Sequence, residues 1–259
     1  MARPKKNIQE TEAWEHGNAY ERLSSVTENY LLSLYKLWED LETPTVTQMT
    51  DALKLLPPTE GLGTSVPSVA GMIRRMQKQG LVDLGADKRI RLTKRGLAGG
   101  EDIARRHRLA EWLVVELLGM EWHRAHIEAH QLEHGMSPEL ESKLMERLGH
   151  PTKSPFGRPI PGTGQPMMPA NALTLDRAAL QTEYVVERVP EEDDQLLRFL
   201  DESALTPGRN VKVLDAAQYL GVLTVSTSKN NIPIGYNVAQ QIMVLPPEVN
   251  NLGEYVTLR

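Results

Sequence analysis

Residues 65–93 read SVPSVAGMIRRMQKQGLVDLGADKRIRLT. Ser65 or Thr64 can cap a helix, and Pro67 falls in its first turn, where a missing N–H costs nothing. The helix is expected to run to Gln79 and stop at Gly80. Leu81–Leu84 and Arg89–Thr93 then alternate apolar and polar residues around a turn at 85–88, which predicts a two-stranded hairpin. Upstream, Tyr30, Leu31, Leu34, Tyr35 and Trp38 recur at helical spacing, so Thr27–Glu39 is read as a helix with Thr27 as its cap. Thr47–Leu55 is a second, shorter helix. The intervening Pro57–Gly63 segment, rich in proline and glycine, is read as a loop. Three helices followed by a hairpin, with a basic third helix, are the elements of a winged helix-turn-helix, whose third helix enters the DNA major groove. A small α/β unit with no DNA partner has the same order.

Charge along the chain is uneven. The 259 residues carry a net charge of −5. Residues 72–108 hold eleven basic and four acidic side chains, a local balance of +7, whereas residues 133–202 hold thirteen acidic and seven basic ones. One basic and one acidic block suggest a polyanion bound on one side only, or two solvated helix faces. The length accommodates about two typical domains or three small ones. No apolar run approaches the ~20 residues of a membrane helix, and no secretory signal follows the basic residues at the start. Cysteine is absent, which excludes disulfides and zinc–thiolate sites and fits a cytoplasmic location.

Working outward, the expected fold class is α+β, mainly α. Residues 1–24 are a polar arm, and residues 25–96 the winged unit. Residues 97–150 contain three helices (Leu97–Leu118, Glu121–Gly135 and one opened by Ser137-Pro138) that suit an interaction and dimerisation module. Residues 151–172, crowded with proline and glycine, are a linker, as a tether or an ordered loop. In residues 173–259 a strand (Leu180–Val189), a helix (Glu191–Glu202) and four short strands (Val211–Asp215, Gly221–Ser226, Pro233–Asn237, Gln241–Leu245) predict a small SH3-like β-barrel.

Four of the seven histidines, His123, His126, His130 and His134, fall within twelve residues. The last three are four apart and share one stripe of a helix. His130, Glu133 and His134 stand at i, i+3 and i+4, a face able to chelate a divalent ion. The same His-x-x-Glu-His spacing marks a class of zinc metallopeptidases in which the Glu is the general base. That alternative needs another carboxylate ligand, from Glu183, Glu187 or the run at Glu191, and a cleft-forming domain for which too little chain remains.

From Thr27 to Gly162 the sequence resembles the diphtheria-toxin-repressor family of iron- and manganese-responsive transcriptional regulators. The matching text is Thr27-Glu28-Asn29-Tyr30-Leu31, Pro67-Ser68-Val69, Arg106 to Glu111, Glu128 to His134, and Ser154 to Pro161. The resemblance implies a homodimeric, metal-activated repressor that binds a palindromic double-stranded DNA operator and controls metal homeostasis. Its activating site would map to Asn29, His130, Glu133 and His134. Its ancillary site would map to His107, Glu111 and His126, with Glu192, Asp193 and Gln195 in the segment that supplies further ligands. DNA contacts would fall on Thr47, Gln48, Ser65, Pro67, Ser68, Arg75, Lys78 and Lys88. Iron-responsive members have Met and Cys at the positions of Asn29 and His130, and manganese-responsive ones Asp and Glu. The sulfur-free set here implies Mn(II) or Fe(II), with Zn(II), Co(II) and Ni(II) able to bind in vitro. The Pro57–Gly63 loop is longer than the family's tight turn, and is read either as touching DNA or as lengthening the turn.

Overall fold

The computed structural model describes residues 23–57 and 60–247. Most of the expected arm, two residues of the Pro57–Gly63 loop and the last twelve residues lie outside that range. Helix α1 spans Ser25–Glu39, two residues earlier than expected, because Ser24 rather than Thr27 caps it. Helix α2 (Val46–Leu53) starts on a capping box in which Thr45 and Gln48 satisfy each other's backbone N–H groups. Helix α3 (Val66–Lys78) is capped by Ser65 and carries Pro67 in its first turn. Strands β1 (Val82–Leu84) and β2 (Ile90–Leu92) pair antiparallel. Their turn ends at Lys88, in the left-handed region with φ 61°. Tyr30, Leu31, Leu34, Met49, Leu53, Val69, Ile73, Met76, Leu81 and Ile90 form one buried cluster, closed by Ile103 and Ala104 of the next helix. The expected helix–helix–helix–hairpin unit is therefore present, and it shares its core with that fourth helix.

Helix α4 (Lys94–Trp112) crosses from that core into the centre of the molecule and ends in a π-helical turn, Leu113–Leu117. The predicted histidine helix is shorter than expected. Helix α5 covers Ala125–Leu132, and a 3-10 turn at Glu133–Gly135 continues it. Helix α6 is Pro138–Arg147, capped by Ser137. Leu109, Ala110, Ala129, Met136, Leu144 and Ile160 pack at the centre of this hub.

The proline- and glycine-rich segment is an ordered loop where it meets the hub. Phe156 and Ile160 are buried, and so is Arg158. Gly157 has φ +94°, and a Cβ there would lie 2.0 Å from the Glu187 carbonyl oxygen, so only glycine fits that approach.

The C-terminal elements are β3 (Leu173–Thr174), β4 (Glu183–Arg188), α7 (Asp194–Glu202), β5 (Asn210–Ala217), β6 (Val222–Ser226), β7 (Asn231–Gly235), the short α8 (Tyr236–Ala239) and β8 (Met243–Leu245). The strands form one antiparallel sheet in the order β3-β8-β4-β5-β6-β7. It is open, with β3 and β7 at its edges, in place of the closed small barrel that strand alternation predicts. β3 is only two residues long and pairs with β8 alone. Register shifts at Val186/Arg188 and Val213/Asp215 bend the sheet without closing it. Its core includes Val114, Ala125 and Phe156, so the sheet packs against the hub.

Charge is sunk into these junctions. Arg108, 1% exposed, meets Glu39 with Nη1–Oε1 2.8 Å and donates to the Pro159 carbonyl. Removing one partner of a buried ion pair leaves the other uncompensated. Glu39→Ala is therefore expected to destabilise the protein by about 3–5 kcal/mol, read from urea denaturation; a loss within about 1 kcal/mol would contradict this role.

Candidate metal centre

Helix geometry brings the predicted donors to one place. His107 and Glu111 are one turn apart on α4 and face His126 and His130 on α5. The His107 ring lies 4.8 Å from His126 and 4.6 Å from His130, centroid to centroid. His107 Nε2 is 3.0 Å from His126 Nδ1 and 3.0 Å from Glu111 Oε1. His107 Nδ1 makes a short contact to Glu133. The two sets of donors thus share a wall, with His107 touching both.

On the Glu133 side, His130 Nδ1 is 3.3 Å from Glu133 Oε1, and His134 Nε2 is 3.5 Å from the same oxygen. His134 Nδ1 meets Glu28 of α1 at 2.6 Å. Arg106 donates to Glu28 at 2.9 Å and to the Glu133 carbonyl at 2.9 Å, so α1, α4 and α5 are already clamped together there. Asn29 is fully buried beside Glu28, and its Nδ2 donates to Glu60 at 2.6 Å. Glu60 comes from the loop between α2 and α3, and its Oε2 lies 3.7 Å from His134 Nε2. Among the described residues, Asn29 Oδ1, His130 Nε2 and His134 Nε2 are buried without a hydrogen-bond partner. Orphaned lone pairs of this kind in a buried cluster fit a bound cation.

On the other side, one donor atom from each of His107, Glu111, His126 and Glu191 lies within 4.8 Å of the rest. Glu111 Oε2 and Glu191 Oε2 also lack hydrogen-bond partners among the described residues. The carboxylate that reaches this group is Glu191, one residue before the three named from sequence. Glu192 instead pairs with Lys36 at 2.6 Å. The Asp193 side chain is committed to capping α7, where it accepts from the N–H groups of Gln195 and Leu196, and Gln195 is exposed. The Glu191-Glu192 doublet is the available signal, but strand-to-helix spacing does not say which of two neighbouring carboxylates turns inward. Sequence reasoning misses Glu60 because it sits in a loop with no periodicity to orient it.

Electrostatics suit cation binding. Burial, helped by the Lys36 charge, lowers His126 to about 4 and His130 to about 3, so both imidazoles are neutral donors near pH 7. Burial, helped by the Glu191 charge, pushes Glu111 up to about 7. Burial also disfavours the Glu191 anion, but Lys36, 2.6 Å away, and Arg158 outweigh it and hold that carboxyl well below the usual range.

The residues named as DNA contacts lie on α2, along α3 and in the hairpin turn. Thr47, Gln48, Ser65, Pro67, Ser68, Arg75, Lys78 and Lys88 are all exposed. Gln48 and Ser65 are also used in caps: Gln48 Oε1 accepts from the Thr45 N–H at 2.9 Å, and Ser65 Oγ accepts from the Ser68 N–H at 3.3 Å.

Residues 93–162 match the family described as iron dependent repressor, metal binding and dimerisation domain, and residues 173–246 match the FeoA domain. The iron-dependent repressor IdeR of Mycobacterium tuberculosis is 32% identical over 234 residues, covering 86% of this chain and 97% of that protein. A manganese-dependent transcriptional repressor solved in complex with manganese superposes with TM-score 0.71 at 27% identity, covering 85% of this chain and all of the other. The structure of ScaR with bound Zn2+ gives TM-score 0.69 at 27% identity, covering 85% and 99%. These relatives are repressors, and the metallopeptidase alternative finds no support among them. Glu133 is also fully buried and engaged by imidazoles on two sides, a poor setting for a general base that must meet water and substrate. Among the described residues no helix is long and apolar enough to cross a membrane.

The buried histidines set a pH dependence. His126 and His130 are neutral when folded but protonate near 6.5 when unfolded. The stability they confer is complete above about pH 6.5 and is lost as pH falls towards 4 and 3. His107 is lowered by burial and acts in the same direction. Glu111 and His134, both shifted upward, offset part of the effect. With chelator present, the protein should therefore be less stable to urea at about pH 5.5 than at about pH 7.5; equal midpoints would mean that these imidazoles are not held neutral.

Proposed function

Because this chain belongs to the iron-dependent and diphtheria toxin repressor family, we propose that it is a homodimeric repressor whose operator binding is switched on by Mn(II) or Fe(II). The division of labour is a winged helix-turn-helix reading head over residues 25–96, a metal-binding and dimerisation hub over residues 97–150, a joining segment at 151–172 and an open antiparallel sheet unit from 173. The observation that carries the reading is that Glu28 and Glu60 link the Asn29 end of α1 to His134 of the hub, beside His130 and Glu133, while Asn29 Oδ1, His130 Nε2 and His134 Nε2 find no hydrogen-bond partner among the described residues. Those four residues form the activating site in this reading. His107, Glu111 and His126, closed by Glu191, form the second.

A divalent cation held by Asn29, His130, Glu133 and His134 would supply the positive charge that these donors lack. Asn29 then holds α1 against α5, and the reading head takes one orientation on the hub. In a two-fold dimer that orientation sets two α3 helices about one helical turn, ~34 Å, apart, as a palindromic operator requires. Metal and DNA must each tighten the binding of the other, since both select the same geometry. Hard oxygen and imidazole donors suit Mn(II) and Fe(II), although affinity in vitro rises towards the later metals.

Arg75 and Lys78 serve as phosphate contacts from the C-terminal half of α3, and Lys88 as one from the hairpin tip. Phosphate contacts give affinity, and base-edge contacts give specificity. Pro67 and Ala70 on α3 are suited to thymine methyl groups, with DNA shape adding the rest.

The test is an operator-binding titration with Mn(II), Fe(II), Zn(II) or chelator at fixed salt. Glu133→Ala should abolish metal-dependent binding while leaving a folded dimer by circular dichroism and gel filtration; an undiminished metal response would remove the activating site from this reading. Arg75→Ala should weaken binding to all sequences alike and lower the slope of log K against log salt by about 1. A loss confined to one operator position would instead make Arg75 a base reader.

A further inference from the structure

The loop between α2 and α3 does more than join two helices. Glu60 turns inward from it, with its side chain only 7% exposed. Oε2 accepts from Asn29 Nδ2 at 2.6 Å and lies 3.7 Å from His134 Nε2. Oε1 accepts from Gln131 Nε2 at 3.3 Å. The carboxylate therefore stands between α1 and α5, at the donors proposed above to hold the activating metal.

The charge on those donors is incomplete. As metal ligands, Asn29 offers a neutral carbonyl and His130 and His134 offer imidazoles that bind without a proton on the donor nitrogen, so Glu133 alone of the four brings a negative charge. Asn29, His130 and Glu133 are at most 1% exposed, and an uncompensated positive charge in such a place is costly. One more carboxylate makes a divalent site neutral. Glu60 is in position to supply it, and its hydrogen bond to the Asn29 amide nitrogen leaves Asn29 Oδ1, buried and without a partner among the described residues, as the other end of that amide.

We propose that Glu60 is a further ligand of the activating metal, contributed by the turn of the helix-turn-helix itself. The inference rests on the reading that Asn29, His130, Glu133 and His134 form that site. It gives the metal a second grip on the reading head. Asn29 anchors α1, and Glu60 anchors the chain five residues before Ser65, the cap of α3. The chain leading into the start of the recognition helix would then be tied to the metal site through Glu60. A second hard carboxylate oxygen also biases the site towards Mn(II) and Fe(II).

The experiment is Mn(II) binding to the full-length protein without DNA, counted by the electron paramagnetic resonance signal of free Mn(II) and by chelator competition. Wild type is compared with Glu60→Gln, Glu60→Ala and His134→Ala. Glu60→Gln keeps an oxygen to accept from Asn29 but loses the charge. It should weaken Mn(II) at one site at least about tenfold, with an unchanged thermal midpoint in chelator. If Glu60→Gln binds as wild type while Glu60→Ala is weakened, Glu60 is a hydrogen-bonding latch and the inference fails. If Glu60→Gln and Glu60→Ala both bind as wild type while His134→Ala loses a site, the inference fails and the activating site stands. If His134→Ala binds as wild type, the activating site itself is wrong.

Discussion

Lys36 carries its charge into the interior, and two carboxylates from the far side of the chain receive it. Glu191 and Glu192 each lie 2.6 Å from its nitrogen. Burial opposes the ammonium ion, and the paired anions outweigh that penalty and raise its pKa. This contact joins the first helix of the reading head to the loop ahead of α7. The same Glu191 reaches His107, Glu111 and His126. A candidate cation site and a buried ammonium thus share one carboxylate, and Arg158 adds a third claim on it at 3.5 Å. The arrangement of reading head, hub and sheet depends on these opposite charges being present together, since any one left alone would be expensive.

Around that junction, α4 is the common beam. Its first half closes the core of the reading head with Ile103 and Ala104, and its second half carries His107 and Glu111. Arg106 and Arg108 leave it to engage α1 at Glu28 and Glu39. A displacement of α1 is therefore felt at both groups of donors. A conformational switch needs such an element, shared by the part that senses and the part that responds.

Much of this is legible in the order of residues. Periodicity and turn residues place the first three helices and the hairpin, because Ser65, Pro67 and Gly80 act locally. The His130, Glu133 and His134 spacing is readable because one helix turn fixes it. Contacts between elements distant in sequence are harder to read. Glu60 and Glu191 both lie in loops, where no repeat tells which way a side chain turns. The open sheet reads as a small barrel because strand alternation is the same in both, and closure depends on register shifts that alternation does not reveal. The joining segment looks like either a tether or an ordered loop, and burial of Phe156 and Ile160 decides for the latter.

The seat of that segment bears on how the chain can be shortened. Phe156 fills the core of the C-terminal sheet, and Arg158 spans Glu39, Asp40 and Glu191. A chain cut after residue 162 would keep every motif of the reading head and hub. It would also bare Val114, Ala125 and Phe156 to water and strip Lys36 of both its counterions. The C-terminal sheet is thus no detachable appendage, since it shares its core with the hub and its buried charges with α1.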